Sequence, residues 1–299
     1  MWTKQNITEQ IGKTVIVTGA NAGLGYETAL GLYEAGADVV LACRSQKSAD
    51  DAVASIIESG GKGTLQTAIL DLSSLEAVKQ FAEDFKNRHQ KLDVLINNAG
   101  IMTPPPALTA DGYESQFGVN FLGHFALTGY LYPLLQATPN SRIVTLSSLA
   151  YTVAAIDFDN LKLEKPYDAG REYFQSKLAN MVFTVELQRR ITAKGDHVLS
   201  LGAHPGVAHS TISRHMDQEV YDAALEKMGP LMETAQGALP TLYAAASDNV
   251  EECGFYGPDG PDGLRGYPTK ITILDHALDR NLGKKLWETA EEITGIVYP

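Results

Sequence analysis

The amino-acid sequence predicts an α/β fold, in which helices cover both faces of a parallel β-sheet. Three observations predict it. Short apolar runs of strand length alternate along the chain with longer segments of helical length. Most of these runs are nearly continuously apolar, which is typical of strands that are buried on both faces. A glycine-rich turn joins the first run directly to the first helical segment.

The elements follow each other in a regular β-α-β order. Strands are predicted at residues 15–17, 39–42, 67–70, 94–96, 143–146 and 198–201. Helices are predicted at residues 24–35, 48–59, 74–88, 113–135 and 171–194. This order predicts right-handed crossovers and one doubly wound parallel sheet of the Rossmann type.

The 299 residues contain no internal repeat or low-complexity linker, so we expect a single domain over residues 1–299. Within it, residues 12–206 form the predicted dinucleotide-binding core and residues 233–299 complete the fold. Three irregular stretches interrupt the pattern, at residues 104–106, 151–170 and 207–230. Long irregular insertions often form lids, and we expect a substrate lid at residues 207–232.

Composition and charge exclude several classes of protein. The formal net charge of −12 argues against a nucleic-acid surface, which needs clustered Lys and Arg. The first residues lack a signal peptide, and no apolar run approaches the length of a membrane span. We therefore expect a soluble, cytoplasmic protein without nucleic-acid or membrane partners. Cys43 and Cys253 lie in no disulfide or metal-binding spacing, and both are expected to be reduced.

The turn after the first strand reads TGANAGLG, with Gly19, Gly23 and Gly25. Glycines at such positions allow a tight turn and a close approach of the backbone to a pyrophosphate, while the following helix N-terminus faces the anion. The alternative is an ordinary strand-to-helix turn. Because the turn follows the first strand and begins a helix, we interpret it as a dinucleotide site.

Arg44 follows the second strand and bears on the choice of dinucleotide. An NAD-selective site usually carries a carboxylate near this position for the ribose 2′-hydroxyl, whereas this chain has Cys43 and then Arg44, with Lys47 nearby. A guanidinium suits a 2′-phosphate. The sequence therefore predicts NADP(H) as the cofactor, with NAD(H), or an Arg44 that binds no ligand, as the alternatives.

Further motifs stand at the predicted strand ends and on the helices. They are Asp71-Leu72, Asn97-Asn98-Ala99-Gly100, Asn120, Ser147-Ser148, Tyr173-x-x-x-Lys177 and Pro205-Gly206. With the glycine turn, they make the chain resemble the short-chain dehydrogenase/reductase family over nearly its whole length. Residues 117–125, 176–180 and 204–207 are most similar to the group of retinol dehydrogenases, WW-domain oxidoreductases and protochlorophyllide reductases. Residues 257–268 resemble the soluble bacterial members.

Tyr173 and Lys177 are four residues apart, so they lie on one face of a helix. A nearby ammonium is expected to favour the phenolate form of Tyr173, which could then exchange a proton with a substrate oxygen. Either Ser147 or Ser148 could bind that oxygen, since only one of two successive side chains faces the cleft. The resemblance favours Ser148. It also implies that Lys177 holds the nicotinamide ribose and that Asn120 anchors a water on the proton path.

The glycine turn, Arg44 and the resemblance together predict the cofactor-binding set. It comprises Gly19, Asn21, Gly23, Leu24, Gly25, Arg44, Asp71, Leu72, Asn98, Ala99, Gly100, Tyr173, Lys177, Pro205, Gly206, Val207 and Ser210. Some members, such as Ala99 and Pro205, could instead only shape turns. His124 is expected to be a packed structural residue. The remaining histidines have no metal-binding spacing, and no metal is predicted.

These features predict an NADP(H)-dependent oxidoreductase that transfers a hydride between nicotinamide and a carbonyl or alcohol. The alternatives are a catalytically silent NADP(H) sensor and an NAD-dependent alcohol dehydrogenase of the same family. The substrate is expected to be a small molecule with an apolar part, in a pocket formed by the three irregular stretches. Its predicted wall residues are Tyr151, Phe158, Tyr167, Met216, Tyr221, Met228 and Met232. A homo-oligomer formed through the helix that carries Tyr173 is also conceivable from the resemblance.

Overall fold

The computed structural model describes residues 1–299 and contains one sheet of eight strands. The strands are β1 (Thr14–Thr18), β2 (Asp38–Cys43), β3 (Thr64–Ile69), β4 (Val94–Asn97), β5 (Arg142–Leu146), β6 (Leu199–Ala203), β7 (Phe255–Pro258) and β8 (Pro268–Lys270). Their spatial order is β3-β2-β1-β4-β5-β6-β7-β8. Strands β1 to β7 are parallel, and β8 pairs antiparallel to β7. The predicted fold class is confirmed.

Helices cover both faces of this sheet. They are α1 (Gly23–Glu34), α2 (Gln46–Ile57), α3 (Leu75–Arg88), α4 (Ser115–Phe117), α5 (Gly123–Ala137), α6 (Ala169–Lys194), α7 (Gln218–Met228), α8 (Thr234–Gly237), α9 (Leu239–Ala246), α10 (Asp275–Leu278) and α11 (Arg280–Thr294). The core on one face contains side chains of α1, α2 and α9, and the core on the other those of α3, α5, α6 and α11. No helix combines the length and apolar character needed to cross a lipid bilayer.

The helix predicted at residues 113–135 is interrupted in the structure. The short α4 passes into a π-helical turn at Gly118–Leu122 before α5 begins. Single π-turns within helices are frequent at functional sites, because the wider turn redirects side chains and backbone carbonyls. Asn120 lies at the middle of this turn and is fully buried.

The longest helix, α6, carries Tyr173 and Lys177. The side chain of Asp168 caps its start by accepting a hydrogen bond from the Arg171 backbone N–H at 2.8 Å. Gly195, with φ of +76°, ends the helix in the left-handed conformation that glycine adopts without strain. More than half of its residues are buried, so α6 presents Tyr173 and Lys177 from a rigid position.

The carboxyl ends of the central strands lie side by side. Thr18 is in register with Ala42, and Leu146 with Ala203. The turns after these strands therefore meet along one edge of the sheet, where ligands of open α/β folds bind. This edge brings the glycine turn and the Ser147-Ser148 pair to the same side of the protein.

Candidate active site

Two adjoining cavities open along the carboxyl edge of the sheet. The first, of about 650 Å³, lies beside the glycine turn, and we call it the glycine-turn cavity. The second, of about 950 Å³, contains Tyr173 and Lys177, and we call it the tyrosine cavity. Most residues that line the second are hydrophobic. Leu24, Asn98 and two residues of the 210–215 segment line both cavities, so the two spaces share a wall.

Most of the predicted cofactor-binding residues line one of these cavities. Gly19, Asn21, Leu24, Gly25, Arg44, Asp71, Leu72, Asn98, Ala99, Gly100 and Ser210 line the glycine-turn cavity. Tyr173, Lys177, Pro205, Gly206 and Val207 line the tyrosine cavity. Gly23 and Asn120 line neither. Gly23 lies under Ser210, and Asn120 is buried behind the site.

The glycine turn leaves no room for side chains at its closest point. A Cβ on Gly25 would lie 2.4 Å from the carbonyl oxygen of Gly19 and 2.5 Å from Nδ2 of Asn98. Asn98 Nδ2 itself donates to the carbonyl of Thr18 at 2.6 Å, so this amide braces the turn from inside. Gly19 adopts a φ of +65°, which also favours glycine.

The N-terminus of α1 has the features of an anion site. No side chain caps this helix at Ala22, so the first backbone N–H groups keep their hydrogen-bonding capacity. The helix dipole adds partial positive charge at the same end. The uncapped N-terminus and the closely approaching glycine positions of the turn before it therefore fit the pyrophosphate of a dinucleotide.

The far end of the glycine-turn cavity carries Arg44, with Ser45 and Ser48 from the start of α2. Arg44 is exposed, and no carboxylate of the protein pairs with it. Lys47, by contrast, lies 2.7 Å from Asp51 in an ion pair on α2. The free guanidinium beside two hydroxyls fits a phosphate monoester, and Lys47 does not belong to this group.

Tyr173 and Lys177 lie together at the inner end of the tyrosine cavity. The Lys177 ammonium is 5.7 Å from the centroid of the Tyr173 ring and donates a hydrogen bond to the Leu146 carbonyl at 3.3 Å. Both residues are buried, with 7% and 3% of their surfaces exposed. They are the buried ionisable side chains of this cavity wall, whereas Asp168, His215, Asp217 and Tyr221 also line the cavity but are not buried.

The direction of the tyrosine pKa differs from the sequence expectation. Burial raises the pKa of Tyr173 to about 12, and the nearby Ser148 hydroxyl opposes this to a smaller extent. Burial also lowers the pKa of Lys177 to about 8. The expectation that Lys177 would lower the pKa of Tyr173 is wrong, because desolvation disfavours the charged form of each group. Burial therefore moves the pKa of the phenol further above neutral pH rather than towards it.

The two serines after β5 have different surroundings. The hydroxyl of Ser147 is buried and donates to the Lys177 carbonyl at 2.8 Å, which fixes β5 to α6. Ser148 begins the short helix Leu149–Val153, where its Oγ accepts from the Ala150 N–H at 3.2 Å. The Ser148 hydroxyl keeps its proton free for another acceptor and lies near Tyr173. Ser148 is thus the one of the pair that can bind a ligand oxygen.

Asn120 joins three segments behind the site. Its Oδ1 accepts from the Ile101 N–H at 2.8 Å, and its Nδ2 donates to the Ile101 carbonyl and to the Ser176 hydroxyl at 3.0 and 2.9 Å. A Cβ on Gly100 would lie 3.2 Å from Asn120 Oδ1 and 3.6 Å from Lys177 Nζ. The amide therefore holds the chain after Gly100 close to the lysine.

His124 connects Asn120 to the end of β1. Its Nδ1 lies 3.0 Å from the Asn120 carbonyl oxygen, and its Nε2 lies 2.9 Å from the Thr18 hydroxyl. The Asn120 carbonyl can only accept, so Nδ1 carries the ring proton and Nε2 accepts from the Thr18 hydroxyl, for which the Ile96 carbonyl at 3.3 Å is a second, more distant acceptor. His124 is then the Nδ1–H tautomer, and Nδ1 donates to Asn120. Both ring nitrogens are engaged, as a structural role requires.

Three of the seven predicted wall residues line the tyrosine cavity, namely Met216, Tyr221 and Met228. The prediction is wrong for the other four, Tyr151, Phe158, Tyr167 and Met232. The Tyr151 hydroxyl accepts from the Leu274 N–H at 3.2 Å, and the Tyr167 hydroxyl donates to the Pro104 carbonyl at 2.6 Å. Lys285 lies over the Phe158 ring, and Met232 is buried beside Ala208 in a β-bridge.

Most of the 151–170 connection thus packs against the rest of the fold. Only its last residues, from Asp168 to Gly170, line the tyrosine cavity. From the stretch around the three prolines, Met102 and Thr103 reach this cavity and the prolines do not. Tyr151, Phe158 and Tyr167, which had suggested a pocket wall, instead pack against the core or form hydrogen bonds that connect loops.

Helix α7 forms an apolar wall of the tyrosine cavity. Its lining residues are Val220, Tyr221, Ala224, Leu225 and Met228, which follow the three- and four-residue spacing of one helix face. No residue of α7 is buried by the protein itself. The helical spacing in this stretch could have identified the face, which the sequence analysis missed.

Sequence reasoning also missed Thr211 and Arg214, which line the glycine-turn cavity. They follow the predicted Ser210 by one and four residues, but no motif marks them. No group of three or more His, Cys, Asp or Glu side chains lies close enough together to hold a metal ion.

Comparison with known proteins adds family information to this geometry. A sequence model of the short chain dehydrogenase family matches residues 13–220. Human (Homo sapiens) retinol dehydrogenase 13 is 37% identical over 295 residues, covering 96% of this chain and 86% of that protein. Mouse (Mus musculus) retinol dehydrogenase 11 is 42% identical over 287 residues, covering 95% of this chain and 87% of that protein.

Solved structures are similar over the same regions. An uncharacterised protein from Mycobacterium paratuberculosis has a TM-score of 0.84 and 37% identity, covering 100% of this chain and 99% of that one. Pseudomonas aeruginosa RhlG, solved as a complex with NADP, has a TM-score of 0.63 and 25% identity, covering 79% and 90%.

The glycine turn provides a first test of the site. Gly25→Ala is expected to weaken binding of NADPH at least about tenfold, because the added methyl group must displace the Gly19 carbonyl or the Asn98 amide. Calorimetric titration measures this. Gly31→Ala is the matched control on the same helix, since its methyl group would meet the flexible end of the Leu242 side chain at 3.1 Å, away from both cavities, and the affinity of this variant for NADPH should stay unchanged. Equal affinities of the two variants would contradict the role of the turn.

His124 gives a test of the network behind the site. Burial lowers the pKa of His124 from 6.5 to about 4, so the unfolded chain binds one more proton than the folded protein between these values. Stability is therefore lost as the pH falls below about 6.5. Between pH 7 and 5 the wild type should lose about 2 kcal/mol more than His124→Gln in urea unfolding. If the free energies of unfolding of the wild type and of His124→Gln changed equally with pH, His124 would not be buried in its neutral form.

Proposed function

The chain belongs to the short-chain dehydrogenase family of oxidoreductases, and on that premise we propose that it transfers a hydride between NADP(H) and a carbonyl or alcohol substrate. The observation that carries the proposal is the position of Tyr173, Lys177 and Ser148 in an apolar cavity that shares a wall with the glycine-turn cavity. A dinucleotide in the first cavity would extend towards a substrate in the second. The residues for proton transfer stand where the two ligands would meet.

The roles of the protein's own groups follow from their environment. A bound nicotinamide supplies or accepts the hydride. Tyr173 gives its proton to the carbonyl oxygen during reduction, while the Ser148 hydroxyl donates a hydrogen bond to the same oxygen. In the opposite direction the same phenol would accept the proton of an alcohol, and its buried position raises its pKa to about 12.

Lys177 and Asn120 support this step. Lys177 donates one hydrogen bond to the Leu146 carbonyl and has further N–H groups for the ribose hydroxyls of the nicotinamide half. Asn120 holds the backbone of Ile101, which keeps Gly100 close to Lys177. We propose that Asn120 also anchors the water that returns a proton to this pair.

The preference for NADP(H) is supported by the free charge of Arg44. Its guanidinium has no carboxylate partner and stands beside the hydroxyls of Ser45 and Ser48. A 2′-phosphate would give it a bidentate partner, whereas the 2′-hydroxyl of NAD(H) would not. The RhlG complex with NADP, at 25% identity, is consistent with this choice.

The substrate is proposed to be an apolar alcohol or aldehyde. Residues 207–232 would act as its lid, because α7 turns one continuous apolar face towards the tyrosine cavity. The volume of about 950 Å³ could hold a molecule of the size of retinal. Relatives named retinol dehydrogenase, 37% and 42% identical, support the same class.

The serine and tyrosine roles can be separated by matched variants. Tyr173→Phe should lower kcat for NADPH-dependent reduction of retinal and of smaller aldehydes by at least about 100-fold, with NADPH affinity retained. Ser148→Ala should lower kcat by a similar factor. Ser147→Ala is the control, because its hydroxyl bonds to the Lys177 carbonyl, and it should mainly lower stability. Unchanged turnover in Tyr173→Phe would refute the mechanism, and NADPH binding without turnover in the wild type would favour a sensor.

Cofactor selectivity is tested at Arg44. Arg44→Ala should raise the Kd for NADPH about tenfold or more, since a charge-assisted hydrogen bond to phosphate is lost, and leave the Kd for NADH nearly unchanged. Lys47→Ala is a control of equal charge change, because Lys47 is paired with Asp51. Calorimetric titration of each variant with NADPH and with NADH measures the ratio of the two Kd values. Equal losses for NADPH in both variants would contradict a specific 2′-phosphate site.

A further inference from the structure

The short helix Thr211–His215 forms the wall between the two cavities. Thr211 and Arg214 line the glycine-turn cavity, and Ser213 and His215 line the tyrosine cavity. Residues three apart in a 3₁₀ helix stand above one another, which explains why Thr211 and Arg214 face the same side. One turn of chain therefore has contact surfaces for two different ligands.

This segment begins directly over the glycine turn. A Cβ on Gly23 would lie 3.6 Å from the Ser210 hydroxyl and 3.9 Å from the backbone nitrogen and the hydroxyl of Thr211. Gly23 is the first residue of α1, whose uncapped N-terminus fits a pyrophosphate. The side of the segment that carries Thr211 and Arg214 thus borders the expected position of that anion.

Arg214 carries a charge that the protein itself does not neutralise. It is exposed, its Nη1 donates to the Thr211 carbonyl at 3.0 Å, and no carboxylate pairs with it. The charged residues that line the glycine-turn cavity are Arg44, Asp71 and Arg214. Asp71 already accepts two hydrogen bonds from Ser73 on Oδ1. In a protein with a net charge of −12, this cavity is lined by two cations and one anion.

Building on the function proposed above, we infer that Arg214 is a second phosphate-binding residue, which binds the pyrophosphate of the dinucleotide from the lid side. Arg44 would bind the 2′-phosphate at the far end of the cavity, and Arg214 the pyrophosphate opposite the α1 N-terminus. The two arginines then have separate ligands. Arg44 distinguishes NADPH from NADH, and Arg214 contributes to the affinity for both.

The same contact would couple cofactor binding to the substrate cavity. The far end of α7 is fixed, because Arg265 donates to the carbonyls of Met228 and Pro230. Its near end follows the 211–215 helix through Asp217, which caps α7 by accepting from the Glu219 N–H at 2.9 Å. Binding of pyrophosphate by Arg214 therefore fixes the free end of the apolar wall. The lid becomes ordered once the dinucleotide is bound.

Calorimetric titration of the full chain with NADPH and with NADH tests the assignment. Arg214→Ala should weaken the binding of NADPH and of NADH by a similar factor of about ten or more. Arg214→Lys should weaken the binding of each cofactor by less, because lysine keeps the charge but not the bidentate geometry. Arg280→Ala, at the exposed start of α11, has the same charge change and should bind both like the wild type. Unchanged affinity in Arg214→Ala would overturn the inference, and so would a loss restricted to NADPH. If the wild type bound neither cofactor, the proposed function itself would fail.

Hydrogen exchange of the α7 amides tests the coupling. In the wild type, saturating NADPH should slow exchange at residues 218–228 severalfold, and in Arg214→Ala, also saturated, this protection should be lost. The Arg44→Ala variant serves as the comparison, because it weakens cofactor binding without touching the lid and should keep the protection at saturation. Equal protection in Arg214→Ala and the wild type would contradict the coupling.

Discussion

The Thr18 hydroxyl, at the end of β1, accepts hydrogen bonds from the backbone N–H groups of Asn98 and Ala99 and donates to His124. His124 in turn donates to the carbonyl of Asn120. This buried chain connects the glycine turn, the turn after β4 and the π-helical segment before α5. Because unpaired polar groups in such a position would be costly, the three segments keep one relative arrangement. Both cavities depend on that arrangement.

Burial determines the chemistry of the two ionisable groups on α6. Tyr173 and Lys177 are each more stable in their neutral form than they would be in water, because desolvation is the largest influence on both pKa values. The same apolar surroundings suit a hydrophobic substrate. One physical condition, a dry cavity wall, therefore shifts both pKa values towards the neutral forms and makes the cavity apolar.

The two cavities have one wall that is part of the packed core and another wall that lies on the surface of the protein. The strand ends and α6 hold the glycine turn, Ser148 and Tyr173 on the sheet. Helix α7 and the 211–215 helix cover the cavities with residues that the protein leaves unburied. In the function proposed above, such an arrangement would allow the sequence of this cover to differ between substrates while the sheet edge keeps its chemistry. It also places Arg214 on the glycine-turn cavity and its neighbour His215 on the tyrosine cavity.

The sequence alone was sufficient for the fold class, for six strands to within three residues at each end, and for the residues that meet at the sheet edge. These depend on local patterns, namely apolar runs, glycine positions and a four-residue spacing. It did not predict β7 and β8, which are only four and three residues long and gain their pairing from the neighbouring strands. The sign of the Tyr173 pKa shift, the removal of Tyr151 and Tyr167 from the pocket wall and the place of Arg214 were decided by tertiary structure. Burial and proximity between distant segments are properties of the packed chain, and no local pattern encodes them.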